Sequence, residues 1–455
     1  MASSSAQGLS SPFGVFAKAT ELKKRILFVL VALIVYRLGT HIPLPGVDAI
    51  ALAKNIAELQ NSSQGLSGAF NMFNMFSGGA FARMTIFALN IMPYITASII
   101  IQLMSSMYPS LQELKKEGEM GRRKINQYTR YLTVALAMFQ GLGLSIGLES
   151  MQVTADGTTY NVVADPGLIF RLQTAITLTA GSVFVMWLGE QITQKGVGNG
   201  ASLIIFAGII AELPRAMVQA FDMTKVGTMT EYFLLGLVIF IVAVMAFVVF
   251  MENAQRRILI QYPKRQVGAR ASGGESNHMP LKLNMAGVIP AIFASSILLF
   301  PMSIANFAPE SEVAQMIGAH LTPGRLTYEL LFVAAVMFFC FFYTAVVFNP
   351  EETADNIKKS GGFIPGIRPG KATAEYFDYI LTRLTVVGSI YIAAVCVLPQ
   401  VLLTQYSVPF YFGGTSLLIV VSVTLDTVTQ IQSHLIAHRY EGLLKKTKFR
   451  NRVKA

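Results

Sequence analysis

The chain has 455 residues, of which 53% are hydrophobic and only 13% charged, with a mean hydropathy of +0.53 and a net charge of +11. Soluble domains carry about a quarter charged residues, so this balance excludes an ordinary globular protein and points to an integral membrane protein. The two cysteines, Cys340 and Cys396, sit inside apolar runs and make neither a disulfide framework nor a metal site.

The first 22 residues are Ser-rich and lack an apolar core followed by a cleavage site. No removable signal peptide is therefore expected, and residues 1–24 read as a cytoplasmic segment. A helix rises about 1.5 Å per residue, so crossing about 30 Å of hydrocarbon takes roughly 20 apolar residues. Ten segments qualify, at about 25–42, 85–107, 129–148, 168–189, 200–218, 231–251, 285–307, 327–348, 381–403 and 412–434. Ahead of the second lies "NMFSGGAFARM", Asn74–Met84, where lipid-like Phe and Met accompany a helix-breaking Ser77-Gly78-Gly79 and a charge, Arg83.

Two loops are too long to be plain connectors. Around 252–283, β-formers at Ile258, Leu259, Ile260 and Tyr262 precede turn-formers and are flanked by Arg256, Arg257 and Arg270, which predicts an extended hairpin. Around 349–382, the Gly/Pro-rich "IPGIRPG" presents Arg368, a side chain suited to bidentate contact with carboxylate or phosphate. Residues 435–455 are a basic tail. Of the 36 Lys and Arg, 29 fall on the side of the two termini and these loops, and only four on the opposite side. Both termini are therefore expected in the cytoplasm.

The second and seventh segments echo one another. Registered on Pro93 and Pro290, both carry Ile two residues on (Ile95, Ile292) and Ala-Ser four and five on (Ala97-Ser98, Ala294-Ser295). Segments two and seven are corresponding members of two five-span halves, 25–218 and 219–434, and an odd span number inverts the second half. Proline inside a span is expected to kink it, leaving two loosened helices to face each other across a seam.

Chemistry is scarce. The spans hold no central carboxylate pair or histidine relay of the kind an ion-coupled transporter uses. No phosphate-binding G-x-x-x-x-G-K-[ST] or H-E-x-x-H motif is present, so no enzyme activity and no cofactor are expected.

The motifs "FNMFSGGA", "MPYITASIIIQL", "KKEGEMGRRKINQYTRY", "MWLGEQITQKGVGNG", "MAGVIPAIFASSI", "FNPEETADN", "IPGIRPG" and "PFYFGGTSLLI" resemble the SecY/Sec61α family of protein-conducting channels. The resemblance implies an all-α polytopic fold of ten transmembrane helices in two inverted pseudo-symmetric halves, with a re-entrant plug half-helix. That plug would run from about Gly65 to Arg83 and include Phe73, Met75, Phe76, Ser77, Gly78, Gly79 and Arg83. The glycines would give it freedom to move, and Arg83 would face an aqueous funnel. The family's pore ring maps onto Ile91, Ile95, Ala201, Ile205, Ile292 and Ile419, apolar side chains that exclude ions by dewetting. Ala201 departs from the usual bulky residue there.

The family's lateral gate maps onto Thr96, Gln140, Ser296 and Phe300. Polar groups along that seam are expected to hydrogen-bond when closed, each bond contributing about 0.6–2 kcal/mol. Docking of the ribosome and the motor ATPase SecA maps onto Arg256, Arg257, Arg270, Arg368 and Tyr440, with Ala269 standing where relatives carry a second arginine. The resemblance further implies SecE and SecG as partner subunits, SecDF and YidC as associates, signal sequences and unfolded preproteins as clients, membrane lipid as exit, and the bacterial inner (plasma) membrane as location. Without it, two other classes fit the sequence: an ion-coupled transporter built on inverted repeats, or an insertase or scaffold with no continuous pore.

Overall fold

The structure, a computed structural model, describes residues 20–48, 51–52, 74–150, 152–155, 158–225, 230–262, 266–267, 270–271, 276–305, 320–321, 325–406 and 414–452. The elements in chain order begin with α1 (Thr20–Gly39), α2 (Met92–Met107), α3 (Pro109–Lys116) and α4 (Glu119–Ser150). A short outer hairpin, β1 (Gln152–Ala155) and β2 (Thr158–Asn161), leads to α5 (Leu168–Lys195), α6 (Gly200–Lys225) and α7 (Glu231–Asn253). The strands β3 (Gln255–Gln261), β4 (Gln266–Val267), β5 (Arg270–Ala271) and β6 (Ser276–Lys282) follow. The chain then forms α8 (Ile289–Ala305), α9 (Leu326–Val347), α10 (Pro350–Lys359), α11 (Lys371–Tyr406) and α12 (Gly414–Arg452).

Among the described residues, seven helices are long and apolar enough to cross a membrane, and two apolar ones, in α2 and α8, are shorter. Those two correspond to the second and seventh predicted spans and begin later than expected. Thr85–Ile91 is a chain of turns before α2, and α8 starts at Ile289. Pro93 and Pro290 therefore sit in the first turn of their helices instead of kinking them. At that position the missing N–H costs nothing, because a first-turn N–H has no intrahelical acceptor. Other helices outrun their apolar stretches: α4 starts at Glu119, α11 at Lys371, and α12 carries the basic tail as far as Arg452.

The echo between the two segments extends to the backbone. Three residues before each proline stands a left-handed residue, Asn90 at φ 49° and Gly287 at φ 62°. The amides of Ile95 and Ile292 then donate to the carbonyls four residues back, at 3.1 and 3.2 Å. Ala97 and Ala294 are both fully buried.

The antiparallel pair α4–α5 is pinned at both ends by arginine–glutamate pairs of opposite sense. At one end Arg130 donates from Nε and Nη2 to the two oxygens of Glu190, at 2.9 and 2.7 Å. At the other, Arg171 donates to Glu149 Oε2 at 2.8 Å, and the Gly167 amide donates to Oε1 at 2.9 Å. Bidentate geometry of this kind fixes orientation as well as contributing energy.

The expected hairpin is present: β3 pairs antiparallel with β6, Arg256 facing Leu281 and Arg257 facing Pro280. Alternation turns Ile258 and Ile260 to one side, where with Leu281 they pack on Ile357, Ile364, Phe377 and Ile380. The two long loops are therefore one body. Gln261 and Phe363 exchange both backbone hydrogen bonds at 2.9 Å, stitching the hairpin to the Gly/Pro-rich tip.

Candidate functional site

Asn74–Phe76 closes one helical turn, after which the chain runs through tight turns to Ile91. Side chains build these turns locally. Asn74 Oδ1 accepts from the Ala82 amide at 2.9 Å, while Ser77 Oγ accepts from the Phe81 amide at 3.0 Å and donates to the Asn74 carbonyl at 3.1 Å. Gly78 and Gly79 are left-handed, at φ 63° and 80°, a conformation that costs a residue bearing Cβ about 1–2 kcal/mol. A Cβ on Gly78 would also lie 2.8 Å from the Gly208 Cα in α6, so the two backbones touch.

This differs from expectation in two ways. Helix ends at Phe76 instead of continuing to Arg83. The Ser77-Gly78-Gly79 stretch is not loose, because its amides and carbonyls are held. Arg83, half-buried, takes part in this by donating from Nε to the Gly79 carbonyl at 3.0 Å and from Nη2 to the Gly78 carbonyl at 3.2 Å, with Nη1 3.1 Å from the exposed His41 Nε2. Burial, with Arg37 and Arg215 nearby, lowers the Arg83 pKa from its ordinary value. Free carbonyls in a buried turn are strong acceptors, and an arginine beside them satisfies them at little entropic cost. Phe73 and the preceding part of the predicted plug lie outside the described residues.

Three residues that the sequence reading did not assign to the site complete it. Arg37 Nη1 donates to the Gly78 carbonyl at 2.7 Å, Tyr36 Oη donates to the Ser77 carbonyl at 3.4 Å, and Asn90 Nδ2 donates to the Phe76 carbonyl at 2.7 Å. A polar Arg37 near the end of an apolar helix was the available signal. Tyr36 is fully buried and stacks on Phe87. The segment is also laced to residues 42–44: Leu44 N donates to the Met84 carbonyl at 2.9 Å, and Ile86 N to the Ile42 carbonyl at 3.1 Å.

The six ring positions lie in the apolar core between α2, α6, α8 and α12. Ile91, Ile95, Ile205, Ile292 and Ile419 are all buried, and the half-buried Ala201 packs against the same cluster. Phe76 belongs to that cluster and Met75 packs on it, so the turn-rich segment abuts the ring candidates.

Of the gate candidates, α2 and α4 both pack on α8. The expected cross-seam hydrogen bonds are not what Thr96 and Ser296 make. Each hydroxyl donates to the carbonyl four residues back in its own helix, Met92 at 3.1 Å and Ile292 at 2.8 Å. Within a helix that carbonyl is the nearest acceptor, and it captures the hydroxyl. Gln140 is buried in α4. Phe300 lies in α8, Arg270 in β5 and Tyr440 in α12, each placed by its backbone alone. Arg256, Arg257 and Arg368 are exposed on the joined loop body.

Comparison with known proteins decides the family. The family model described as SecY matches residues 85–428. The protein translocase subunit SecY of Rickettsia conorii is 55% identical over 432 residues, covering 95% of this chain and 98% of that one. The chain belongs to the SecY family. Two solved SecY-type structures share the fold at low identity. One is a SecY whose plug domain stabilises the closed state of the translocation channel and maintains a membrane seal (19% identical, TM-score 0.57, covering 90% of this chain and 92% of that one). The other is Sec61 in the canine ribosome–channel complex from the endoplasmic reticulum (16% identical, TM-score 0.60, with the same coverage). This SecY-family chain is thus a multi-pass membrane protein of the translocase channel type, a transport subunit and not an enzyme. The family match begins at Thr85, so the clasped turn Asn74–Met84 precedes it.

Proposed function

We propose that this chain is the pore-forming subunit of a Sec translocation channel, passing unfolded polypeptide across the bacterial inner membrane and releasing apolar segments sideways into lipid. The observation that carries the reading is the segment Asn74–Met84. After one helical turn it is non-helical backbone, largely buried in protein and seated through Met75 and Phe76 against a cluster of buried isoleucines. Such backbone is tolerated at membrane depth only where protein or a water-filled cavity surrounds it, which is what a plug in a pore requires. Phe76 and Met75 are the apolar stopper, and Ile91, Ile95, Ala201, Ile205, Ile292 and Ile419 are the ring beneath it.

Ten spans in two inverted halves, with both termini cytoplasmic, complete the proposal. The shared left-handed residue before Pro93 and Pro290, and the shared hydrogen bond that spans each proline, support the repeat. The seam between α2 and α4 on one side and α8 and α9 on the other is the lateral gate, carrying Thr96, Gln140, Ser296 and Phe300. The joined loops form the platform for SecA and the ribosome through Arg256, Arg257, Arg270 and Arg368, and Tyr440 of α12 belongs to the same docking set. SecE and SecG complete the unit, and SecDF and YidC associate with it.

Deletion of residues 65–82 tests the reading. In planar bilayers the complex lacking them passes ions at rest and the intact complex does not; equal, ion-tight behaviour of both would refute a plugged pore.

A further inference from the structure

We infer that Asn90 and Arg37, which lie outside the plug, are positioning residues that hold it shut by its backbone carbonyls, so that the resting seal is set by a clasp of two donors and not by apolar fit alone. The inference rests on the plugged-channel reading above. Asn90 Nδ2 donates to the Phe76 carbonyl at 2.7 Å. Arg37 Nη1, from the end of α1, donates to the Gly78 carbonyl at 2.7 Å. These are the two carbonyls that flank Ser77, and Arg83, within the turn itself, reaches the second of them and the next.

The internal repeat explains why Asn90 is more than a backbone residue. Its counterpart three residues before Pro290 is Gly287, and both adopt left-handed φ. Glycine meets that backbone demand with no side chain, and asparagine meets it at a modest penalty. At the first-half position the side-chain amide is bonded to the plug, and the corresponding second-half position is glycine.

Arg37 is fixed for the same task. Its carbonyl accepts from Thr40 Oγ1 at 2.7 Å and lies 2.9 Å from His41 Nδ1, and the neighbouring Tyr36 is fully buried. With its proton on Nδ1, His41 bonds the Arg37 carbonyl and leaves Nε2 to accept from Arg83. The Gly78 backbone is backed by Gly208, leaving the turn no room to shift toward α6. Opening the plug therefore begins with loss of the bonds from Asn90 and Arg37.

The test uses the complete complex carrying Asn90→Gly, Asn90→Asp or Arg37→Gln, with the deletion of residues 65–82 as control. Asn90→Gly keeps the left-handed backbone and removes the whole amide, including its contact with Tyr36, so a melting temperature of the purified complex is measured beside it, and Asn90→Asp keeps the side-chain size while replacing the donor. Two readouts are taken: resting ion conductance in planar bilayers, and the rate at which a membrane-impermeant maleimide labels Phe76→Cys from outside. Loss of one such bond is expected to raise both by about fivefold, in Asn90→Gly and Asn90→Asp alike. Parental conductance and labelling in both Asn90 variants, with a leaking deletion control, would overturn the clasp and leave the plugged channel standing. An ion-tight deletion control would overturn both.

Discussion

Ser77, Gly78 and Gly79 show how small residues produce rigidity. The two left-handed glycines permit a turn in which carbonyls point at Arg37 and Arg83, and the absent side chain at Gly78 permits backbone contact with Gly208. Gly78→Ala adds a left-handed penalty of about 1–2 kcal/mol and a close contact with α6; a lower melting temperature of the purified complex and raised resting conductance are expected. Thr96 and Ser296 make the opposite point, since their hydroxyls are already used within their own helices. Thr96→Val and Ser296→Ala together are expected to change signal-peptide-triggered gate opening by less than about threefold, the equivalent of a single intramembrane hydrogen bond of about 0.6 kcal/mol, because neither hydroxyl bonds across the seam. Site-specific cross-linking across the α2–α8 seam, with and without signal peptide, measures this.

At the scale of elements, the hairpin β3–β6 and the tip around Phe363 are coupled through one small core. Its centre is Phe377 in α11, which is fully buried against Ile258, Ile260 and Leu281 from the hairpin and Ile357 and Ile364 from the other loop. Phe377→Ala removes a large side chain from this core, at a cost of about 3–5 kcal/mol. Hydrogen exchange is expected to show the amides of Gln261 and Phe363 losing protection together, because each is the other's partner. Independent loss would mean that the loops are separate after all. The α4–α5 pair has a different economy: its ends are held by Arg130–Glu190 and Arg171–Glu149, while its lipid-type side chains, among them Phe139, Ile176 and Phe184, stay exposed. Helices in lipid gain little from burying apolar surface on one another, so polar pins at the ends set their alignment.

For the whole molecule, charge and apolar mass are segregated. The exposed Arg256, Arg257 and Arg368 sit on one body, and a partner that meets them through RNA phosphate binds with an affinity that falls steeply with salt. Replacing Arg257 and Arg368 by alanine is expected to lower the slope of log affinity against log salt for ribosomes by about one per arginine. An unchanged slope would move the docking site elsewhere on the chain.

Length, 53% hydrophobic content and the lopsided placement of 36 basic residues are sums over the chain, and they are legible without coordinates. So the polytopic helical class, the β3–β6 hairpin and the correspondence of Pro93 with Pro290 could be read directly, since each depends on local composition or periodicity. What the sequence could not express was pairing between distant residues. Asn90 with Phe76, Arg37 with Gly78 and Gln261 with Phe363 are contacts between positions far apart in the chain or in different elements, and no period or motif announces them. For the same reason Ser77-Gly78-Gly79 reads as a hinge in one dimension and is a clasped turn in three. Local preference says which backbone shapes glycine can take, and only the neighbours brought in by folding decide which one is held.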